Sequence, residues 1–172
     1  MMFNSKDSNY RGRILLFASI NHVWSDLFFA LLVPLLVLMK EDPELHLSFS
    51  EIGMLRTAHS MAMAVFQIPF GLVSEKIGEY WLLLGGNFWV AVSYLVLASV
   101  SWFPLFLSMT LIGGLGGGAQ HPLAASWVSR VYEKNGRSKA VGTVNFAGDL
   151  GKMAAPAFSL VVAPIFGWRG TM

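Results

Sequence analysis

The sequence has no cysteine and little charge. Of its 172 residues only 13% are Asp, Glu, Lys or Arg, against about 25% in an ordinary globular domain. The absence of cysteine excludes a disulfide framework and a thiolate metal site. The net charge of +2 is too small to indicate nucleic acid as a partner. A typical soluble domain is excluded by the shortage of charged side chains.

Apolar residues are what the chain has in excess. They make up 55% of the sequence, and the mean hydropathy is +0.57. A membrane span needs roughly 20 mostly apolar residues, and every backbone amide in lipid must be paired within its own segment. The sequence therefore predicts an all-α membrane protein that has the lipid bilayer as its partner. Five transmembrane helices are expected after a tail at residues 1–13, at about 14–39, 51–74, 81–100, 104–130 and 138–166.

The distribution of Lys and Arg predicts the orientation of these helices. If the N-terminus is cytoplasmic, the connections on the inner side hold eight basic residues, and those on the outer side hold only Lys40 and Arg169. This excess satisfies the positive-inside rule. We therefore expect a multi-pass protein of a bacterial-type cell membrane. The eight inner residues are Lys6, Arg11, Arg13, Lys76, Arg130, Lys134, Arg137 and Lys139.

The first apolar run carries Asn21, His22 and Asp26 near the expected middle of the bilayer. Asp26 is about 18 Å into the predicted helix at 1.5 Å per residue. His22 and Asp26 are four residues apart and share a helix face. Because an ionisable group in a membrane is costly, it usually faces a cavity or a partner. Two hypotheses follow, a proton site at Asp26 or a structural pair with His22.

The fourth and fifth runs carry the remaining candidates for a substrate or proton pathway. Gln120 and His121 precede Pro122, which should kink the helix. His121 could bind substrate or relay protons, or it could satisfy a carbonyl that the kink frees. Asp149 and Lys152, three residues apart, favour a structural ion pair, and Asn145 lies one turn before Asp149.

The second run carries two further ionisable side chains, Arg56 and His59, whereas the third run carries no charged side chain. We expect Arg56 to extend its guanidinium toward the outer surface. A zinc site from His22, His59 and His121 is conceivable, but no short metal-ligand spacing supports it, so no metal site is predicted. The third run has no ionisable residue after Trp81 and should lie on the outside of the bundle.

The connection between the second and third runs carries a motif. Gly71, Glu75, Lys76 and Gly78 stand where the Major Facilitator Superfamily has Gly-x-Leu-x-Asp-Arg-x-Gly, with glycine at both ends for the turn. The order of five apolar runs, a glycine-rich fourth run and a closing Gly-Trp-Arg also resembles this superfamily. Glu79 stands where the family usually has a basic residue. The segments around His22 and His121 look most like its fosmidomycin-resistance-type branch.

The resemblance implies the N-terminal part of a transporter whose helix 6 and second six-helix half are missing from this sequence. It implies a secondary active transporter that works by alternating access, with the motif as a gating loop. The branch implies efflux of a small compound, an anionic one included. We expect a proton gradient to supply the energy, and we expect no cofactor and no enzymatic activity. The alternative is a receptor or scaffold subunit that pairs with another chain.

Overall fold

The computed structural model describes residues 8–132 and 136–172, and within these two ranges it is α-helical without a β-strand. α1 begins inside the predicted tail, so residues 8–13 are helical. Predictions that concern residues 1–7 and 133–135, including Lys6 and Lys134, lie outside the described residues. The helices are α1 (Ser8–Lys40), α2 (Phe49–Ile77), α3 (Glu79–Ser99), α4 (Phe103–Gly117), α5 (Gln120–Val131) and α6 (Arg137–Thr171).

Within the described ranges, three helices rather than the five predicted are long and apolar enough to cross a membrane: α1, α3 and α6. The prediction of five was wrong by this criterion for two physical reasons. α2 is 29 residues long, but His59 and Gln67 interrupt its apolar stretch. The fourth predicted helix is divided into α4 with 15 residues and α5 with 12, and neither is long enough alone.

The helical hydrogen bonding is interrupted between α4 and α5, just before Pro122, where the sequence predicts a kink. Gly118 and Ala119 keep helical dihedral angles, so the chain continues in nearly the same direction. Proline has no N–H to donate to the carbonyl four residues before it, which here is that of Gly118. The helical bonds resume when Leu123 donates to the Ala119 carbonyl at 3.3 Å.

The connection between α2 and α3 is much shorter than the eight-residue motif suggests. α2 continues to Ile77 and α3 begins at Glu79, so Gly78 alone makes the turn. Gly78 has φ of +86°, a conformation that residues with a Cβ rarely adopt. Gly71 lies inside α2, with open space where a side chain would point. The prediction that Gly71 takes part in the turn was therefore wrong.

The apolar core consists of two clusters with polar residues between them along α1. One cluster includes Ile14 and Ala18, and the other includes Leu31 and Leu35. Between these two pairs α1 buries four polar side chains, those of Asn21, His22, Ser25 and Asp26. The polar layer thus lies in the middle of the helix bundle, where water has least access.

Small residues bring the helices into backbone contact. α1 packs most extensively against α6, where a methyl group added to Gly151 would overlap the Val23 carbonyl oxygen. In the same way, a methyl group on Gly114 of α4 would overlap the His59 carbonyl oxygen of α2. Such close approach strengthens packing between membrane helices. α3 packs mainly on α4 and leaves Trp81 and Phe88 exposed.

The C-terminal end of α6 is tied to the connection between α1 and α2. Helical geometry breaks at Gly167, which has φ of +68°. Beyond it, the Trp168 indole donates to Asp42 Oδ2 at 2.6 Å. Arg169 donates to the carbonyls of Ala98 and Val100 at 2.9 and 2.8 Å. These bonds hold three helix ends together on the side that we predict to be extracellular.

Candidate functional site

Asp26 is the centre of the buried polar layer. Its side chain is 1% exposed, and three ionisable groups from three helices surround it. His22 Nε2 is 3.4 Å from Oδ2, His121 Nε2 is 3.4 Å from Oδ1, and Lys152 Nζ is 3.1 Å from Oδ2. Neither carboxylate oxygen accepts a well-formed hydrogen bond within the described part of the chain. A buried carboxylate held only by such contacts is poorly satisfied. We call these four residues, together with Asp149, the ion cluster.

The two histidines form a path from the exposed surface to Asp26. His22 is 4% exposed and His121 is 35% exposed. His22 Nε2 and His121 Nδ1 lie 2.9 Å apart, so one of them donates a hydrogen bond to the other. Helical spacing places His22 beside Asp26, and His121 lies in the first turn of α5. A proton could move along this path without crossing the apolar core.

Lys152 connects Asp26 to Asp149. Its ammonium donates to Asp149 Oδ1 at 3.2 Å and keeps its 3.1 Å contact with Asp26. The predicted pair of Asp149 and Lys152 therefore forms, but it belongs to a larger cluster. Lys152 is 43% exposed and Asp149 is 66% exposed, so this side of the cluster is open. Asn145 lies one turn away on the same face of α6, is exposed, and contacts no other candidate through a hydrogen bond among the described residues.

Asn21 and Gln120 are not in the ion cluster. They are bonded to each other, and both are buried. Asn87 Nδ2 donates to the carbonyl and to the side-chain oxygen of Asn21 at 3.0 Å, and Gln120 Nε2 donates to the Leu83 carbonyl at 3.0 Å. This amide network joins α1, α3 and α5. Its geometry suits a structural tie, and the part played by Asn87 was not predicted because it depends on which helices are neighbours.

Arg56 is partly exposed, and its extension toward the outer surface stays a prediction. Its guanidinium lies 4.3 Å from the centre of the Phe29 ring, a distance at which a cation is attracted to an aromatic face. Arg56 Nη1 is buried and has no hydrogen-bond partner in the part of the chain that the structure describes. His59 lies apart from the ion cluster, buried against the Thr110 carbonyl at 3.3 Å. The trio of His22, His59 and His121 is therefore not brought together.

The predicted gating residues lie at the C-terminal end of α2 and in the turn that follows it. Glu75 and Lys76 are exposed, and neither forms an ion pair with a residue in the described ranges. Next to them, Glu79 forms an ion pair with Arg130 of α5. Glu79 is the acid that stands where the family usually has a basic residue. Its ion pair fixes the start of α3 to the end of α5.

Comparison with known proteins relates the whole helix bundle to one family. The family model described as the Major Facilitator Superfamily matches residues 18–172. An uncharacterised transporter of this type from Methanocaldococcus jannaschii is 28% identical over 117 residues, which cover 68% of this chain and 30% of the relative. The probable L-galactonate transporter of Escherichia coli is 26% identical over 127 residues, covering 74% and 28% of the two chains.

A third relative matches over a longer stretch. The probable sugar efflux transporter of Pasteurella multocida is 24% identical over 161 residues, covering 93% of this chain and 39% of the relative. The chain thus spans about a third of the length of the curated relatives it matches. The matched residues include α1 from residue 18 onward, all of α2 to α6, and every member of the ion cluster. The chain belongs to the Major Facilitator Superfamily.

Proposed function

We propose that the full protein is a proton-coupled secondary transporter that expels a small compound by alternating access, with Asp26 as its proton site. The observation that carries the proposal is the ion cluster, a buried carboxylate reached through two imidazoles and open on its Lys152 side. Sites of this kind lie near the membrane midplane in transporters. The names of the relatives support a transporter over a receptor or scaffold subunit.

The charge of the ion cluster supports coupling to one proton. With neutral histidines, Asp26 and Asp149 contribute two negative charges and Lys152 one positive charge, so the net charge is −1. One proton on Asp26 makes the cluster neutral. A neutral cluster is cheaper to move through a low-dielectric bundle than a charged one, which would let the empty protein reorient only when it carries the proton.

The same charge count supports efflux. A cluster of net charge −1 can be neutralised by one proton or by one positively charged group of a substrate. The two would compete for Asp26, and competition for one site is the basis of exchange in opposite directions. A ligand shifts a conformational equilibrium only if it binds the two conformations with different affinities. If the proton and the substrate compete for Asp26, protons that move inward down their gradient would drive the substrate outward. The resemblance to the fosmidomycin-resistance-type branch supports the same direction.

One observation favours a second candidate, uptake of a small carboxylate together with a proton. Protonation of Asp26 would release Lys152, which is 43% exposed and could then pair with an anion. Proton and anion would bind together rather than compete. The relative named as an L-galactonate transporter supports a carboxylate as a compound to test.

Proton coupling can be tested in proteoliposomes that contain the full-length protein. The probes are ethidium as a cation, L-galactonate as an anion and a labelled neutral sugar, each followed with an internal pH indicator. Competition predicts that the transported probe moves against the proton, and joint binding predicts movement with it. Asp26→Asn mimics the protonated acid and should abolish proton-driven transport while substrate exchange continues.

The matched control is Glu44→Gln, which removes an exposed carboxylate outside the ion cluster and should leave proton-driven transport in place. The amount of folded protein in each sample is measured by size-exclusion chromatography. Loss of both driven transport and exchange in folded Asp26→Asn would favour a structural role for the carboxylate. Unaltered driven transport in that variant would rule out Asp26 as the proton site.

The gating role of Gly71, Glu75, Lys76 and Gly78 is a separate part of the proposal. Glu75 is exposed at the end of α2, where a helix N-terminus of the second half could accept its negative charge. Glu75→Ala should then slow transport at unchanged membrane abundance. Equal transport by the variant and the wild-type protein would argue against a latch at this position.

A further inference from the structure

Three side chains of the ion cluster offer the donor atoms that transition metals prefer. His22, Asp26 and His121 each present one ligand atom, and these atoms all lie within 4.8 Å of one another. Two imidazole nitrogens and one carboxylate oxygen form a common ligand set for zinc and its neighbours. Ca²⁺ and Mg²⁺ prefer oxygen ligands, so the donor set selects against them.

The distances in the cluster are close to those of tetrahedral coordination. Ligand bonds of about 2.0–2.2 Å place neighbouring ligand atoms of a tetrahedron about 3.3–3.6 Å apart. Asp26 lies 3.4 Å from His22 Nε2 through one oxygen and 3.4 Å from His121 Nε2 through the other. Because these contacts use different oxygens, and one ligand atom from each residue lies within 4.8 Å of the others, metal binding requires the carboxylate and the partly exposed His121 ring to rotate toward one point.

The buried carboxylate of Asp26 lacks partners that a metal ion could replace. Both of its oxygens are buried and without a well-formed hydrogen bond in the described part of the chain. A cation bound between the oxygens and the imidazoles would satisfy them directly. His22 Nδ1 is also without an acceptor in the described ranges, so the outer shell that usually strengthens such sites is incomplete. The geometry therefore fits a reversible site better than a permanent structural one.

Lys152 is the competitor for this position. Its ammonium is 3.1 Å from Asp26 Oδ2, close to where a metal would lie, and the two positive charges would repel each other. Lys152 can withdraw because it is 43% exposed and also bonds to Asp149. A metal at Asp26 and an ammonium at Asp26 therefore exclude one another.

We propose that His22, Asp26 and His121 form a binding site for a divalent transition-metal ion of the zinc type, with Lys152 as a built-in competing cation. Because the His121 side chain is 35% exposed, water or a compound that binds the metal could reach the site as a fourth ligand. This inference concerns binding alone, so it holds or fails independently of the direction and coupling of transport.

Co²⁺ is the probe, because its visible absorption reports coordination geometry. Titration of the purified full-length protein should produce a tetrahedral-type spectrum. His121→Ala should weaken Co²⁺ affinity by more than about tenfold. His46→Ala is the matched control, since His46 is an exposed histidine outside the cluster and its removal should change nothing.

Lys152→Met provides a test that misfolding cannot imitate. Removal of the competing ammonium should raise Co²⁺ affinity, whereas a damaged protein would bind less. No tetrahedral-type spectrum in the wild-type protein would overturn the proposal. Equal affinities in His121→Ala and His46→Ala would overturn it as well, and unchanged affinity in Lys152→Met would exclude Asp26 as a ligand.

Discussion

Replacing Gly151 by alanine should weaken the contact between α1 and α6. A methyl group at this position would overlap the Val23 carbonyl oxygen and lie 3.0 and 3.1 Å from Val23 C and Leu27 N. All three are backbone atoms, so no side-chain rotation relieves the overlap and the two helices must move apart. Gly142 is the matched control, because it lies on the same helix and has nothing within 4 Å of the added methyl.

The expected change in the free energy of unfolding has two opposing contributions. Overpacking of a well-packed contact costs typically about 1–3 kcal/mol. Alanine is about 1 kcal/mol more favourable than glycine inside a helix, and this gain is common to both positions. Gly142→Ala should therefore be neutral or stabilising, and Gly151→Ala should be less stable than Gly142→Ala by about 1–3 kcal/mol.

The difference can be measured as the free energy of unfolding of the full-length protein in detergent micelles. Tryptophan fluorescence follows the transition, and both variants are compared with the wild-type protein at one detergent concentration. Equal stabilities of the two variants would refute the close approach of α1 and α6 at Gly151. A destabilised Gly142→Ala would refute the reasoning about open space.

Three further predictions concern the ends of the helices. A single cysteine at Glu44 should react with an impermeant thiol reagent in intact cells, and one at Glu75 should not; the reverse pattern would overturn the predicted orientation. Arg169→Ala removes charged hydrogen bonds to two carbonyls and should cost about 1.5–3 kcal/mol in the free energy of unfolding, so an unchanged value would argue against this tie. The Trp168 indole and the Glu44 backbone N–H donate to Asp42 and lower its pKa below 3.8. Trp168→Phe should lose some core packing at every pH and, in addition, a contribution that is full above pH 3.8 and shrinks as the pH falls below it. A loss of stability of the same size at all pH values would contradict the pairing.

Local sequence geometry accounts for the contacts that were predicted correctly. His22 and Asp26 share a face because they are four residues apart, and Asp149 and Lys152 pair because they are three apart. Such spacing fixes neighbours within one helix whatever the rest of the chain does. The same is true of the break in helical hydrogen bonding before Pro122, which depends only on a missing N–H.

Contacts between different helices could not be predicted from the sequence. Nothing in the spacing of Lys152 indicates that it reaches Asp26, since that contact depends on the approach of α6 to α1 through Gly151. The contact of the Arg56 guanidinium with the Phe29 ring was likewise not predicted, because it depends on the approach of α2 to α1. The function of the candidate residues, and the branch of the superfamily, stay predictions.

The contact of Lys152 with Asp26 gives the protein a counter-ion that cannot diffuse away. A group tethered near its partner acts as though it were present at millimolar concentration or higher. The carboxylate is thus partly neutralised even when nothing from solution has bound, and the pull on stray cations is reduced. Across any membrane that holds an ion gradient, such a tether would oppose leakage, because a cation that enters the site must first displace the ammonium.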